Sequence, residues 1–301
     1  MAITFRQLDI FARVAKTGNV TRASAELLLT QSAVSMALAE LERLAGGPLF
    51  DRHGRRLQLN ERGREILPQV RAVLDQVHGI ETFLADSLGE PCGTLHVGAS
   101  TTIGNYLLPG IIGEFSRSYA RATVQLSVMN ARQVEEGVRD GDLDLGLSEG
   151  IPHLGELEVS DWRPDELVVI VGTEHPWARK KSATLAKLAT ADWIMREPGS
   201  GTREVFEEAL KAKGLEAAVT LELGHTEAIK KAVEAGLGIG CLSRMTVQRE
   251  LDNGWLVEVA TPLDLRRRLL ILSRTGRQPT LLLQAFLDAL QSANQSVKSA
   301  K

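Results

Sequence analysis

Apolar and polar positions follow different periods in successive parts of this chain, and each period marks a segment. In residues 1–60 the spacing is helical. Leu8, Phe11, Ala12 and Ala15 form one stripe behind Thr4 and Gln7, which have capping-box spacing, so a first helix is predicted to end near Gly18. Val20, Ala23 and Leu27 repeat at the same period, with Asn19 or Thr21 available as N-cap. A third helix follows after a short break. Thr30 can cap it, and Val34, Ala37, Leu38 and Leu41 fall at i, i+3, i+4 and i+7. Gln31, Ser32, Ser35 and Met36 then lie on its opposite face, near its N-terminus. Gly46-Gly47-Pro48 stops this helix. Leu49-Phe50 and Leu57-Gln58-Leu59 flank His53-Gly54, the pattern of a small β-hairpin with Arg52, Arg55 and Arg56 around its tip.

From Asn60, a possible N-cap, the period lengthens. Ile66, Val70, Val73, Val77, Ile80 and Leu84 alternate by four and three, a heptad seam on one long helix predicted to run through Leu88, with Pro68 expected to kink it early. Such a seam suits pairing with a second copy; packing against its own domain is the alternative. Gly89, Pro91 and Gly93 mark a linker. Beyond it, strand and helix patterns alternate. Strands are predicted at Leu95–Ala99, Val124–Val128 and Leu143–Leu147, with a helical stretch through Tyr119 and another at Val134–Arg139. A second series starts at Leu167–Val171. It continues through strand Trp193–Met195, a helix from about Thr202, strand Leu221–Leu223, helix Thr226–Ala235 and strand Ile239–Leu242. Arg268–Leu272 reads as a returning strand and Leu281–Leu290 as a closing helix. This order predicts a mostly parallel α/β sheet, with ligands at the carboxyl ends of its strands.

Charge sharpens the division. The whole chain of 301 residues carries a net charge of -3, yet residues 1–60 hold eight basic against five acidic side chains, +3, which leaves -6 for the rest. A basic head on an acidic body fits nucleic-acid binding by the head, and so small an excess calls for paired heads. Neither a membrane-spanning run nor a signal-peptide core is present in the sequence, and Cys92 and Cys241 suit a reduced cytoplasm.

Two loops carry candidate chemistry. Ser100-Thr101-Thr102 and Gly199-Ser200-Gly201-Thr202 each follow a strand and open a helix, where hydroxyls, free N–H groups and the helix dipole favour an anion. One such loop is ordinary capping; one in each half predicts a cleft that holds a small anion from both sides. Gly236-Leu237-Gly238-Ile239-Gly240 runs from helix to strand, the reverse of a dinucleotide loop. The histidines have no metal spacing, and no nucleophile–base pair or cofactor motif is evident, so an enzyme is not expected. A solute-binding protein and a ligand-independent architectural DNA binder are the competing readings.

The head reads F-R-Q-L-D-I-F-A-R-V-A-K-T-G-N-V-T-R-A-S-A-E-L, then T-Q-S-A-V-S, L-E, G-G-P-L-F-D-R and L-N-E-R-G. In this combination, over essentially its whole length, the chain resembles a LysR-type transcriptional regulator. G-A-S-T-T-I-G-N-Y-L-L-P, D-G-D-L-D-L-G-L and R-E-P-G-S-G-T-R are similar to the subgroup that regulates carbon fixation and sulfur assimilation. The resemblance implies a winged helix-turn-helix over residues 1–60, a linker and dimerisation helix over 61–90, and a two-lobed periplasmic-binding-protein-like (type II) effector domain over 91–301. Its lobe one would be 94–163 with 267–301, and its lobe two 164–266. A dimer through the linker helix, a homotetramer, promoter DNA and a small anionic effector are implied, with RNA polymerase a further candidate partner. Carried over by motif, Gln31, Ser32, Ser35 and Met36 face bases and Thr30 caps beside phosphate, while Arg52, Arg55 and Arg56 serve the wing. Ser100, Thr101 and Thr102 line the cleft from one lobe and Gly199, Ser200, Gly201 and Thr202 from the other. Ser32 stands where the family usually has Pro, and Met36 where a long polar or basic residue is common. Glu149 is expected near the cleft, where a carboxylate is awkward for an anion; Arg196 could neutralise it, a ligand hydroxyl or amine could donate to it, or it could point away.

Overall fold

The computed structural model describes residues 2–54, 56–86, 89–276 and 279–299. The chain folds as two units, residues 1–87 and 88–301.

The first unit is α1 (Phe5–Thr17), α2 (Val20–Glu26), α3 (Gln31–Leu44), β1 (Phe50–His53), β2 (Arg56–Leu59) and α4 (Glu61–Asp86). Each helix start has a local cause. Thr4 and Gln7 close a full capping box on α1, Asn19 accepts from Thr21 and Arg22 on α2, and Thr30 accepts from Ala33 on α3. The apolar stripe of α1 is centred on Ile10, Phe11 and Val14; Leu8, Ala12 and Ala15 flank it and are only partly buried. With Ala23, Val34, Leu38, Leu41, Leu49 and Phe50 they make one small core. The L-N-E-R-G motif has a packing reason. Asn60 Oδ1 caps α4 by accepting from Gly63 N (2.9 Å), and a Cβ on Gly63 would lie 2.2 Å from the Leu49 carbonyl oxygen.

The heptad seam on α4 divides. Val70 is buried and Ile66 partly buried against the head core, whereas Val73, Ile80 (60% exposed) and Leu84 (61%) face outward. Helix α4 is described to Asp86; Leu88, where the pattern predicts its end, lies outside the described residues, as does Arg55.

The second unit opens with β3 (Gly93–Ser100), α5 (Thr101–Tyr106), α6 (Leu108–Ser118), β4 (Ala122–Met129), α7 (Ala131–Arg139) and β5 (Leu145–Glu149). Strand β6 (Leu157–Gly172) then carries the chain into a second lobe. That lobe holds α8 (Pro176–Lys180), α9 (Leu185–Ala189), β7 (Trp193–Met195), α10 (Gly201–Lys211), β8 (Val219–Glu222), α11 (Thr226–Glu234), β9 (Ile239–Ser243), α12 (Arg244–Asp252) and β10 (Leu256–Val259). Strand β11 (Arg266–Arg274) returns and α13 (Leu281–Ser299) closes the chain on the first lobe, where Phe286 meets Phe115 edge-on at 5.2 Å.

The sheet is less parallel than the alternation of elements predicts. Strand β3 is parallel to β4 and β5, and β7 to β8 and β9, but β6 and β11 run antiparallel to their neighbours. The cause is connectivity: the chain crosses between lobes twice, outward on β6 and back on β11, and these two strands pair with each other. The predicted helical stretch through Tyr119 is two helices, because Pro109 in the first turn of α6 has no N–H to continue α5. The third strand lies at Leu145–Glu149 rather than Leu143–Leu147. That shift places Glu149 at the strand's carboxyl end, facing the lobe junction.

Candidate functional site

On the head, α3 presents its predicted face. Val34, Leu38 and Leu41 are buried, which fixes the helix rotation, and Gln31, Ser32, Ser35 and Met36 are all exposed. The Thr30 hydroxyl accepts from Ala33 N (3.2 Å) and shares a 3.0 Å hydrogen bond with the Ser32 hydroxyl, so the first turn is tied together. Further along the same helix, Glu40 and Arg43 pair with each other at the surface. The β1–β2 hairpin pairs His53 with Arg56, and both Arg52 and Arg56 are exposed beside its tip.

In the second unit the two predicted loops converge, and the residue that joins them is one the sequence did not single out. Arg267, on β11, is 7% exposed. Its Nη1 donates to the Thr202 hydroxyl (3.0 Å) and its Nη2 to the Thr102 hydroxyl (3.5 Å), reaching both lobes at once. Its Nε donates to Asp165 Oδ2 (2.7 Å), whose other oxygen accepts from Ser243 (2.7 Å). Glu149 Oε1 lies 3.8 Å from Nη1. A signal for Arg267 does exist in the chain. Leu265 and Leu269, two residues to either side, are buried, while Arg266 and Arg268 are exposed, so strand periodicity turns the middle arginine inward.

Glu149 is therefore not neutralised by Arg196. It accepts a hydrogen bond from Ser100 and faces Arg267. Arg196, also buried, pairs with Glu197 through two bonds (2.8 and 2.9 Å) and donates to the Thr101 hydroxyl (3.1 Å). Thr101, Thr102 and Thr202 thus all accept from guanidinium groups. A hydroxyl that accepts in this way keeps its own proton to donate, so three O–H groups are left with their protons available to an acceptor. Helix α5 has only six residues and Ser100 makes no side-chain cap on it, so this loop offers hydroxyls and guanidiniums rather than the end of a long helix dipole.

The second loop also touches the end of β5 and the start of α7. A Cβ on Gly201 would lie 1.9 Å from the Glu149 carbonyl oxygen, and Gly150 opposite it adopts φ +102°. The Gly199 carbonyl, on a residue at φ +89°, accepts from Arg132 N (3.1 Å) at the start of α7. Ser200 is buried between these contacts. Glycine is required here because backbone meets backbone. Two polar clusters cross the lobes nearby. Tyr106 donates to Glu227, and Lys230 reaches Tyr106 (3.3 Å), Glu227 (2.7 Å) and Glu250 (2.9 Å). Burial alone would lower the pKa of the Lys230 ammonium, but its bonds to Glu227, Glu250 and Tyr106 outweigh that and raise it; the Tyr106 phenol is pushed up to about 12, mainly by burial. His153 bridges Glu204 (2.7 Å) and, through its backbone N–H, Glu135 (3.0 Å). Cys241 is buried close to Arg267; burial pushes its thiol up, and the guanidinium only partly offsets this.

Comparison with known proteins agrees with both units. Residues 5–64 match the model of bacterial regulatory helix-turn-helix proteins of the lysR family, and residues 88–295 match the LysR substrate binding domain. The chain is 43% identical over 295 residues to the HTH-type transcriptional regulator YeiE of Escherichia coli, covering 98% of this chain and 99% of that protein. It is 32% identical over 293 residues to the RuBisCO operon transcriptional regulator of Allochromatium vinosum, covering 97% of each. The CcmR regulatory domain of Synechocystis, solved in complex with 2-PG, superposes with a TM-score of 0.63 at 31% identity, covering 67% of this chain and 98% of that one. These relatives are regulators rather than enzymes. A helix-turn-helix with a wing, followed by a two-lobed unit whose loops meet at Arg267, together with full-length likeness to such proteins, makes this chain a member of the LysR family of transcriptional regulators.

Proposed function

We propose that this regulator binds promoter DNA through paired heads and that a small anion, held between the two lobes of its C-terminal domain, alters those contacts. Thr30, Gln31, Ser32, Ser35 and Met36 serve the major groove, and Arg52, Arg55 and Arg56 the flanking backbone or minor groove. The outward apolar residues of α4, Val73, Ile80 and Leu84, support pairing with a second copy, and pairs of dimers would give a tetramer. RNA polymerase remains a candidate partner, and the cytoplasm is the compartment for such work. No helix among the described residues is long and apolar enough to cross a membrane.

Lobe one is taken as 94–163 with 267–301 and lobe two as 164–266. The effector is a sulfur oxyanion or a phosphorylated or carboxylated metabolite, and it contacts Ser100, Thr101, Thr102, Glu149, Arg196, Gly199, Ser200, Gly201 and Thr202. The observation that carries this reading is the buried Arg267 guanidinium, which reaches hydroxyls on both lobes. An anion there would accept from groups of either lobe and so favour their closed arrangement over any open one; only that difference in affinity can shift the equilibrium. The similarity to the CcmR domain makes 2-PG one probe among several.

The test is a thermal-shift screen of the full chain with 2-PG, sulfite, sulfate, phosphate and small carboxylates. At least one anion is expected to raise the melting temperature. Thr102→Ala and Thr202→Ala should each reduce that rise, by roughly the tenfold in affinity expected for loss of one bond to a charged group. An equal rise in wild type and both variants would rule the cleft out as the binding site.

A further inference from the structure

The outer face of α3 carries short side chains with two exceptions, Gln31 at its start and Met36 in its middle. Gln31, Ser32, Ser35 and Ala39 are exposed on it, and so is Met36, which is 68% exposed. Met36 lies one turn beyond Ser32 on the same face, because Val34 and Leu38 on either side in sequence are locked into the head core. Serine ends one atom past its Cβ and alanine at its Cβ, so the Met36 thioether is the furthest-reaching group in the middle of this face. A single exposed apolar side chain is unremarkable by itself. What gives this one a role is its position on the face that the preceding reading turns toward the major groove.

Chemistry then narrows what Met36 can read. It donates no hydrogen bond and its sulfur is a weak acceptor, so it cannot discriminate bases by bidentate pairing. The one apolar feature that a base pair shows in the major groove is the C5-methyl group of thymine. Cytosine presents an amino donor there and purines present ring nitrogens and exocyclic polar groups, all of which lose solvent against a thioether without gaining a partner. We propose that Met36 reads a thymine methyl, so that the half-site of this regulator has a required thymine set by an apolar contact where a long polar side chain would instead read by hydrogen bonding. The proposal rests on the reading that α3 enters the major groove.

The experiment uses the full-length protein and duplexes that it selects itself from a random library. Each thymine of the selected duplex is replaced in turn by uracil, which removes the methyl and nothing else, and binding is measured by anisotropy at fixed salt. The wild type is expected to lose about fourfold per half-site at one symmetric pair of positions, the worth of one buried methyl. Met36→Ala should bind the thymine duplex more weakly by a similar factor and be indifferent to uracil at that pair. Met36 is exposed, so the variant keeps the head's core. Uracil tolerated by the wild type at every position, or Met36→Ala still sensitive at the same pair, overturns the proposal. A Gln31→Ala/Ser35→Ala protein separates the two readings. If it binds and selects the same sequence as wild type, α3 does not read the groove at all; if it binds weakly while uracil has no effect on the wild type, only the methyl contact is wrong.

Discussion

Arg267→Met is expected to abolish the anion-dependent thermal shift and to destabilise the ligand-free second unit by about 3–5 kcal/mol. The guanidinium is buried, with Asp165 at 2.7 Å and Glu149 at 3.8 Å. Removing it leaves the buried Glu149 and Asp165 carboxylates without the guanidinium that faces both, and this costs more than the pair itself contributes. It also removes the one group that bonds to Thr102 and Thr202 together. Arg267→Lys separates the two effects. The charge stays, so most of the stability should return. An ammonium, however, cannot direct three bonds in the planar fork that reaches Asp165 and both threonines, so the anion shift should remain well below wild type. Melting curves of the three proteins with and without anion make the measurement; an undiminished shift in Arg267→Met would remove Arg267 from the site.

Gly201→Val has the second large effect, and it acts by sterics. The added Cβ would lie 1.9 Å from the Glu149 carbonyl, so the α10 start and the β5 end cannot approach as they do now. Overpacking of this kind costs about 1–3 kcal/mol. Because the clash is between lobes rather than within one, that cost should fall on closure and weaken the anion about ten- to hundredfold, with both lobes still folded. Calorimetric titration gives the affinity, and circular dichroism verifies the fold. Wild-type affinity in Gly201→Val would mean that closure of this contact is not part of binding.

How much of this was legible in the sequence depended on how local the cause was. Caps at Thr4, Asn19, Thr30 and Asn60 lie within three residues of the groups they satisfy, so they could be read directly. The exposed face of α3 followed from a helical stripe that the core confirms. The first half of β6 was missed for a physical reason. In the first lobe it pairs only with β11, so it is an edge; it shows a mostly exposed pattern and tolerates Pro164. Helices α8 and α9 have five residues each, too few for a period to register. The charge partner of Arg196, Glu197, is its neighbour in the chain, but that of Glu149 depended on which strands the chain brings together. Glu149 lies on β5 and Arg267 on β11, and their antiparallel pairing puts Leu269 opposite Glu149. Only that pairing brings the carboxylate near the guanidinium, and neither local pattern nor spacing encodes it. The loops of the cleft were therefore readable one at a time; strand periodicity could have turned Arg267 inward, but only the sheet order shows that it links them.

Coupling between cleft and promoter is tested most directly by footprinting the full-length protein on its selected DNA, with and without a saturating dose of the anion found in the thermal screen. The footprint of the wild type is predicted to change its extent or its hypersensitive positions when the anion is added, and Thr202→Ala to need about tenfold more anion for the same change. An identical footprint and affinity with and without an anion that demonstrably binds the protein would contradict the proposed link between the two units.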